Sequence, residues 1–201
     1  MSKAVLISTQ PKWCEKIANG AKTIEVRKSK PKLQTPFKVY IYCTNDRKVF
    51  LDSDCNNKFW TEKNYGGKHY YNGKVIGEFV CDEITPLFNV ATTSWDFLAG
   101  NVHEYAKGLV LMARLTEEEM HSYANGKNCY AWRISQLKIY DKPKELIEFY
   151  SIAESGSDCC TGCIYHETPL EEMPCRNCTG DRKYLYRAPQ SWCYVEELQN
   201  G

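Results

Sequence analysis

The sequence predicts an α+β fold, a small and mainly antiparallel β-sheet or barrel carrying two or three short helices. Three observations predict it. At least five segments read as strands, by alternation or as short apolar runs bounded by turn residues. Two segments carry helix start and stop signals. Strand and helix do not alternate regularly, which excludes a doubly wound parallel sheet.

Residues 4–8 (AVLIS) read as the first strand. Thr9 stands at the N-cap position of a following helix, with Pro11 in the first turn, where a missing N–H costs nothing. Trp13, Cys14, Ile17 and Ala18 supply an apolar stripe that reads as core, and Gly20 is placed to stop the helix. In 22–28 (KTIEVRK), alternation puts Ile24 and Val26 on one face and Thr23, Glu25 and Arg27 on the other, as in a half-buried strand. Residues 36–44 (PFKVYIYCT) form a clear strand with Val39, Ile41 and Cys43 on one side. Residues 45–73, rich in Asn, Asp, Gly and Lys, read as an excursion with room for a short hairpin. Asn72-Gly73 turns the chain into a strand over 74–84.

A short helix is expected around 94–99, and 109–115 (LVLMARL) fits strand or helix equally. Thr116-Glu-Glu-Glu119 is a capping-box pattern, and Gly126 ends the helix it opens. Residues 129–140 read as a strand closed by Pro143. This organisation predicts a barrel domain over 1–150, a Cys-rich module over 151–182 and a C-terminal segment, 183–201, that returns to the barrel.

Composition narrows the class. In 201 residues, 43% are apolar, 13% aromatic and 25% charged, outside the disordered range. No apolar run approaches the roughly 18 residues of a membrane span, and the first residues lack the pattern of a secretion signal. The formal charge of +1 hides an asymmetry. Residues 1–48 carry 11 Lys or Arg and three acids, a balance of +8, and the remaining 153 residues balance to −7. A fold that gathers the basic part on one face suits phosphate-bearing partners.

The cysteines number 11, an odd count that, without a secretion signal, points to a reducing, cytoplasmic setting. Five of them, Cys159, Cys160, Cys163, Cys175 and Cys178, fall within 20 residues. Cys160-x2-Cys163 and Cys175-x2-Cys178 are two hooks separated by 11 residues, the spacing that brings four thiolates to one tetrahedral Zn2+. Cys159 can substitute for Cys160, and His166 offers an imidazole nearby. Four protein ligands leave no position for water, so the zinc is structural and orders a segment with little core of its own.

Gly20-Ala-Lys22-Thr-Ile-Glu25-Val-Arg27 has the form G-x-K-x-x-E-x-R, between a helix stop and a strand start. It resembles the ASCH family of the PUA-like superfamily. The likeness covers 5–44 and continues more loosely through 74–84 and 130–140, with 45–73 and the cysteine knuckle as additions. Relatives with this layout resemble bacterial and phage proteins. The resemblance implies a PUA-like pseudo-β-barrel with a cleft beside the first helix, suited to RNA or a modified nucleoside. Lys22 at its mouth, Glu25 and Arg27 would then form the binding set. Lys28, with Lys30 and Lys32, would track phosphates, and Trp192 or Tyr194 would stack a base or pack against the barrel.

An enzymatic alternative follows from the same resemblance. Some small bacterial members deacetylate acetylcytidine with a lysine, a threonine and a glutamate. Lys22 matches the lysine, but Glu25 stands where that threonine belongs. A carboxylate serves there only as a general base toward water, so Lys22 and Glu25 would be the catalytic pair. The distant glutamate falls among Glu117, Glu118 and Glu119. A protein-interaction factor that uses the zinc knuckle as its contact surface is the third reading. No phosphate-cradling glycine loop or G-x-S-x-G is present, and the four histidines are spread out.

Overall fold

The computed structural model describes residues 2–45, 62–63, 68–69, 72–87, 101–152 and 183–198. In chain order its strands are β1 (Lys3–Thr9), β2 (Ile24–Arg27), β3 (Phe37–Cys43), β4 (Glu62–Lys63), β5 (Lys68–His69), β6 (Val75–Leu87), β7 (Cys129–Lys144), β8 (Tyr150–Ser151), β9 (Lys183–Tyr184) and β10 (Trp192–Glu196). The helices are α1 (Pro11–Ala18), α2 (Asn101–Met112) and α3 (Glu117–Ala124), with a 3-10 turn at Leu146–Glu148. One sheet has the order β2-β7-β6-β3-β1-β10-β8-β9, and β4 pairs with β5 separately. Every neighbouring pair in the large sheet is antiparallel except β1 with β3. The α+β, mainly antiparallel architecture is as the sequence predicts, and the β4–β5 pair fits the short hairpin expected in 45–73.

The end strands β2 and β9 are not paired with each other among the described residues, so the sheet curls without closing. Its inner face gathers Val5 and Ile7 of β1, Val39, Ile41 and Cys43 of β3, Phe79 of β6 and Trp132 of β7, with Cys14 and Ile17 of α1 laid across them. The outer face of β1 and β3 forms a second core of Leu6, Tyr40, Leu146, Phe149 and Val195. A third core packs α2 and α3 on the outer face of β2 and β7.

That third core settles one open reading and explains one departure. First, of 109–115 the residues up to Met112 are the end of α2, so the helical of the two readings holds. Ala106, Leu109, Val110 and Ala113 recur at helical spacing and are buried against Ile24 and Val26, whereas Leu111 and Met112 face outward. Second, β2 is buried on both faces. The alternation is as expected, but α2 covers the Ile24–Val26 side and the curled sheet covers the other. Glu25 and Arg27 are therefore buried charges, at 6% and 5% exposure.

Local chemistry departs elsewhere too. The N-cap of α1 is Gln10, in extended conformation with Pro11 following, because Thr9 ends β1 and its hydroxyl accepts from Arg27. Gly20 adopts φ +75° just past the helix. The capping box at Thr116 and Glu119 forms as expected, and Asn125 and Gly126 close α3 in left-handed conformations. Strand β6 extends to Leu87, and β7 runs through Pro143 to Lys144. The ladder is irregular between Val75 and Gly77, so an imide without an N–H is tolerated there. The helix expected around 94–99 lies outside the described residues. So do Cys159, Cys160, Cys163, Cys175, Cys178 and His166. Strands β8 and β9, on either side of 153–182, pair with each other, and β10 follows beside β1. Among the described residues, no helix is long and apolar enough to cross a membrane.

Candidate functional site

A cleft of about 1450 Å3 lies where the curled sheet fails to close. Its wall includes the end of β1 (Ser8, Thr9), β2 (Glu25 to Arg27) and the approach to β10 (Tyr186 to Ser191). Helix α1 contributes Lys12 and Trp13, and α3 contributes Glu118, Glu119 and Tyr123.

The floor is built by the G-x-K-x-x-E-x-R run. Glu25 and Arg27 share the inward face of β2, with Glu25 opposite Trp132 and Arg27 opposite Tyr130 on β7. Lys22 precedes the strand and turns back so that its Nζ lies 3.3 Å from Glu25 Oε2. Arg27 Nη2 lies 2.8 Å from Glu25 Oε1. Two cations thus hold one carboxylate, one on each oxygen, and all three side chains are nearly sealed from water, at 3%, 8% and 7% exposure. The triad carries one net positive charge. A buried charge is tolerated only with such partners, and the uncompensated one favours an anion or an electron-rich carbonyl in the adjoining space.

Each cation is also spent on the fold. Lys22 Nζ donates to the carbonyl of Ala113 at 2.9 Å, just beyond the C-terminus of α2, where a cation is favourable. Lys22 is therefore at the floor and not at the mouth. Burial pushes its ammonium below the ordinary lysine value, against the upward pull of Glu25. Arg27 reaches across the seam. Its Nη1 donates to the Ser191 carbonyl at 3.0 Å, and its Nη2 to the Ser8 carbonyl at 2.9 Å and Thr9 Oγ1 at 3.1 Å. The guanidinium clasps β2 to β1 and to the segment entering β10, although β7, β6 and β3 intervene along the sheet. Arg27 Nε is buried and has no hydrogen-bond partner among the described residues.

The other expected residues fall in different places. Lys28 is exposed on the cleft wall, its Nζ 5.2 Å from the centre of the Tyr123 ring. Trp192 does not line the cleft. Its ring packs on the inner core, 6.2 Å from Trp132 and 5.3 Å from Tyr194, and its Nε1 donates to Ser29 Oγ at 3.0 Å. Tyr194 is buried, and its hydroxyl accepts from the Lys32 amide. Both rings pack, and they help Arg27 fasten the seam. Among the three glutamates, Glu118 and Glu119 line the cleft, whereas Glu117 pairs with Lys107. Glu119 is held by the Thr116 amide and by Lys12.

Trp13 is the residue that sequence reasoning misplaced. It is half-buried on the cleft wall, outside the apolar clusters, and three ammonium groups approach its ring: Lys12 at 4.3 Å, Lys16 at 4.6 Å and Lys22 at 5.4 Å. Lys16, three residues after Trp13 on the same helix face, is the available signal, and Lys12 reaches the ring as well from the first turn. Among the described residues, no group of three or more His, Cys, Asp or Glu forms a metal cage.

No family model matches the chain, and no curated protein does. Solved structures do. The crystal structure of ASCH from Zymomonas mobilis is similar over 71% of this chain and 73% of its own, at 20% identity and a TM-score of 0.46. Two single-residue variants of that protein match at the same identity and TM-score. One match covers 72% of this chain and 77% of the variant, the other 71% and 74%.

Proposed function

We propose that the chain is a nucleic-acid-binding module that takes RNA or a modified nucleotide in the seam cleft. The carrying observation is the buried, net-positive Lys22–Glu25–Arg27 floor beneath an open wall of cations and rings. Among the described residues, five cationic side chains line the cleft against three carboxylates. Its volume of about 1450 Å3 exceeds the roughly 300–1,000 Å3 of ordinary small-molecule pockets, leaving room for nucleotides flanking the one at the floor. Lys12, Lys28 and Arg187 are exposed and suited to phosphates, and Trp13 and Tyr123 offer π-faces to a base.

The floor residues recognise and the rim residues attract. The buried net positive charge of Lys22, Glu25 and Arg27 acts through the field it sets at the cleft floor, which favours a phosphate or carbonyl oxygen there. The test is a binding titration against single-stranded RNA and modified nucleosides at two salt concentrations. Affinity is expected to fall with added salt and to fall further in Lys28→Ala and Arg187→Ala at unchanged melting temperature. No binding of any of these ligands at low salt sinks the proposal.

The Cys-rich segment completes the reading. Hooks at Cys160/Cys163 and Cys175/Cys178, with Cys159 as substitute, support a structural zinc knuckle in a chain that works in a reducing compartment such as the cytoplasm. The pairing of β8 with β9 supports its being an insertion between two adjacent strands. Metal analysis of the purified protein is expected to give one zinc per chain, and much less removes the knuckle.

A further inference from the structure

The structure places a second aromatic feature outside the cleft floor. In 184–187 (YLYR) Leu185 turns toward the outer core, packed against it, with its amide bonded to the Phe149 carbonyl at 2.9 Å. Its neighbours Tyr184 and Tyr186 are exposed, at 42% and 63%. Tyr150 of β8 stands opposite Tyr184 of β9 in the ladder register. Their ring centres are 4.5 Å apart, and the Tyr150 hydroxyl donates to that of Tyr184 at 2.9 Å. Tyr186 follows with its centre 6.5 Å from Tyr184. Tyr186 also belongs to the cleft wall, and so does the exposed Arg187 next to it.

Tyr150, Tyr184 and Tyr186 therefore form a file of rings that starts inside the cleft and leads out along the β8–β9 edge. We propose that this file is a stacking track for the nucleotides of a single-stranded RNA that flank the one held in the cleft. The inference rests on the nucleic-acid reading of the cleft and extends it from a nucleotide site to a strand site.

Three physical points carry it. Tyr184 and Tyr186 are exposed and Tyr150 is half-buried behind Tyr184, and exposed rings in file provide π-faces that accept any base, which is how single strands are held without sequence readout. The Tyr150–Tyr184 hydroxyl bond and cross-strand pairing fix these rings in advance, so little rotamer freedom is lost on stacking. Arg187 supplies a cation where the file meets the cleft, so a phosphate between the floor nucleotide and the first stacked base has a partner. A protein partner would engage the neighbouring Ile147 as well, which is 47% exposed on the 3-10 turn that packs against β9.

The experiment compares a dinucleotide with a single strand of about 12 nucleotides by fluorescence anisotropy, using the full chain. Wild-type protein is expected to bind the longer strand more tightly. Tyr184→Ala is expected to weaken the longer strand by roughly 10- to 100-fold and so collapse the long-to-short affinity ratio. Tyr184→Phe keeps the ring and its cross-strand contact with Tyr150 and is expected to retain most of the ratio, losing only the part that the hydroxyl bond supplies by fixing the rings. Ile147→Ser is expected to leave it unchanged, with melting temperatures checking that each variant folds. Equal loss for both ligands in Tyr184→Ala, no loss for either, or Phe behaving as Ala overturns the track. So does an equal effect of Ile147→Ser, which indicates a protein-contact surface. Salt-dependent dinucleotide binding with no gain from length overturns the track alone, whereas no RNA binding at all overturns the track and the cleft reading together.

Discussion

Arg27 and Lys28 are neighbours in sequence and do opposite work. The Arg27 guanidinium bonds to Ser8, Thr9, Glu25 and Ser191 from a buried position, whereas the Lys28 ammonium is exposed beside Tyr123. Removing one partner of a buried ion network leaves the others stranded, at about 3–5 kcal/mol. Arg27→Ala is therefore expected to lower the melting temperature sharply, with the seam between β2 and β1 opened, and Lys28→Ala to weaken RNA binding at unchanged stability. A thermal melt of each variant beside a titration separates the two roles, and equal stability in both contradicts the clasp. The inward set Glu25 and Arg27 was legible from alternation alone. Its burial was not, because alternation reports which side chains share a face and not whether a distant strand curls over that face.

Titration gives a second prediction at this scale. Burial raises the thiols of Cys81 and Cys193 from 9.0 to about 12, and the Tyr40 hydroxyl from 10.0 to about 12. The Tyr140 hydroxyl, donating to Glu78 at 2.6 Å, is raised as well. A folded-state value above the unfolded one means stability that is whole below the unfolded value and lost as pH climbs through the folded one. Lys22 runs the other way: its lowered value makes folding more favourable as pH rises toward 10.5. The raised groups outnumber it and continue beyond its range. The melting temperature is expected to decline between about pH 9 and 12, and a flat profile there contradicts the burial of these groups.

Among the elements, the contact between β6 and β7 is the tightest constraint. A Cβ on Gly77 would stand 2.5 Å from the Lys138 carbonyl oxygen, a backbone atom that cannot swing aside. Gly77→Ala is therefore expected to destabilise the protein by about 1–3 kcal/mol, read as a lowered denaturant midpoint, by forcing the two longest strands apart. An unchanged midpoint shows that the ladder yields there. What the sequence disclosed about elements followed the same division. Caps and turns such as Thr116 with Glu119, Gly126 and Asn72-Gly73 are local chemistry and were readable. The identity of 109–115 was not, because a short apolar run fits a strand or a helix until the upstream Ala106 shows the helical stripe. Thr9 misled for a related reason: its hydroxyl has the chemistry of an N-cap, but a guanidinium distant in sequence takes it.

At the scale of the molecule, the curled but unclosed sheet concentrates basic charge, because β1, α1 and β2 come from the first 48 residues with their +8 balance and all border the seam. The acids among the remaining residues offset that excess in the total, and among the described residues only Glu118 and Glu119 of α3 join Glu25 in the cleft. RNA affinity should therefore carry a salt dependence set by local and not net charge. A chain of formal charge +1 with its charges evenly spread would bind a polyanion weakly and with little slope. If Lys12, Lys28 and Arg187 each neutralise a phosphate, log affinity against log salt is expected to fall with a slope of about −2 for a single strand. Substituting any one of them should make the slope shallower by about 0.7. Lys138, exposed on β7 and away from the cleft wall, is the control, and its replacement should leave the slope unchanged. A slope near zero, or one that responds to Lys138 as strongly as to Lys28, would mean that the seam does not gather the charge and that the strand is held elsewhere.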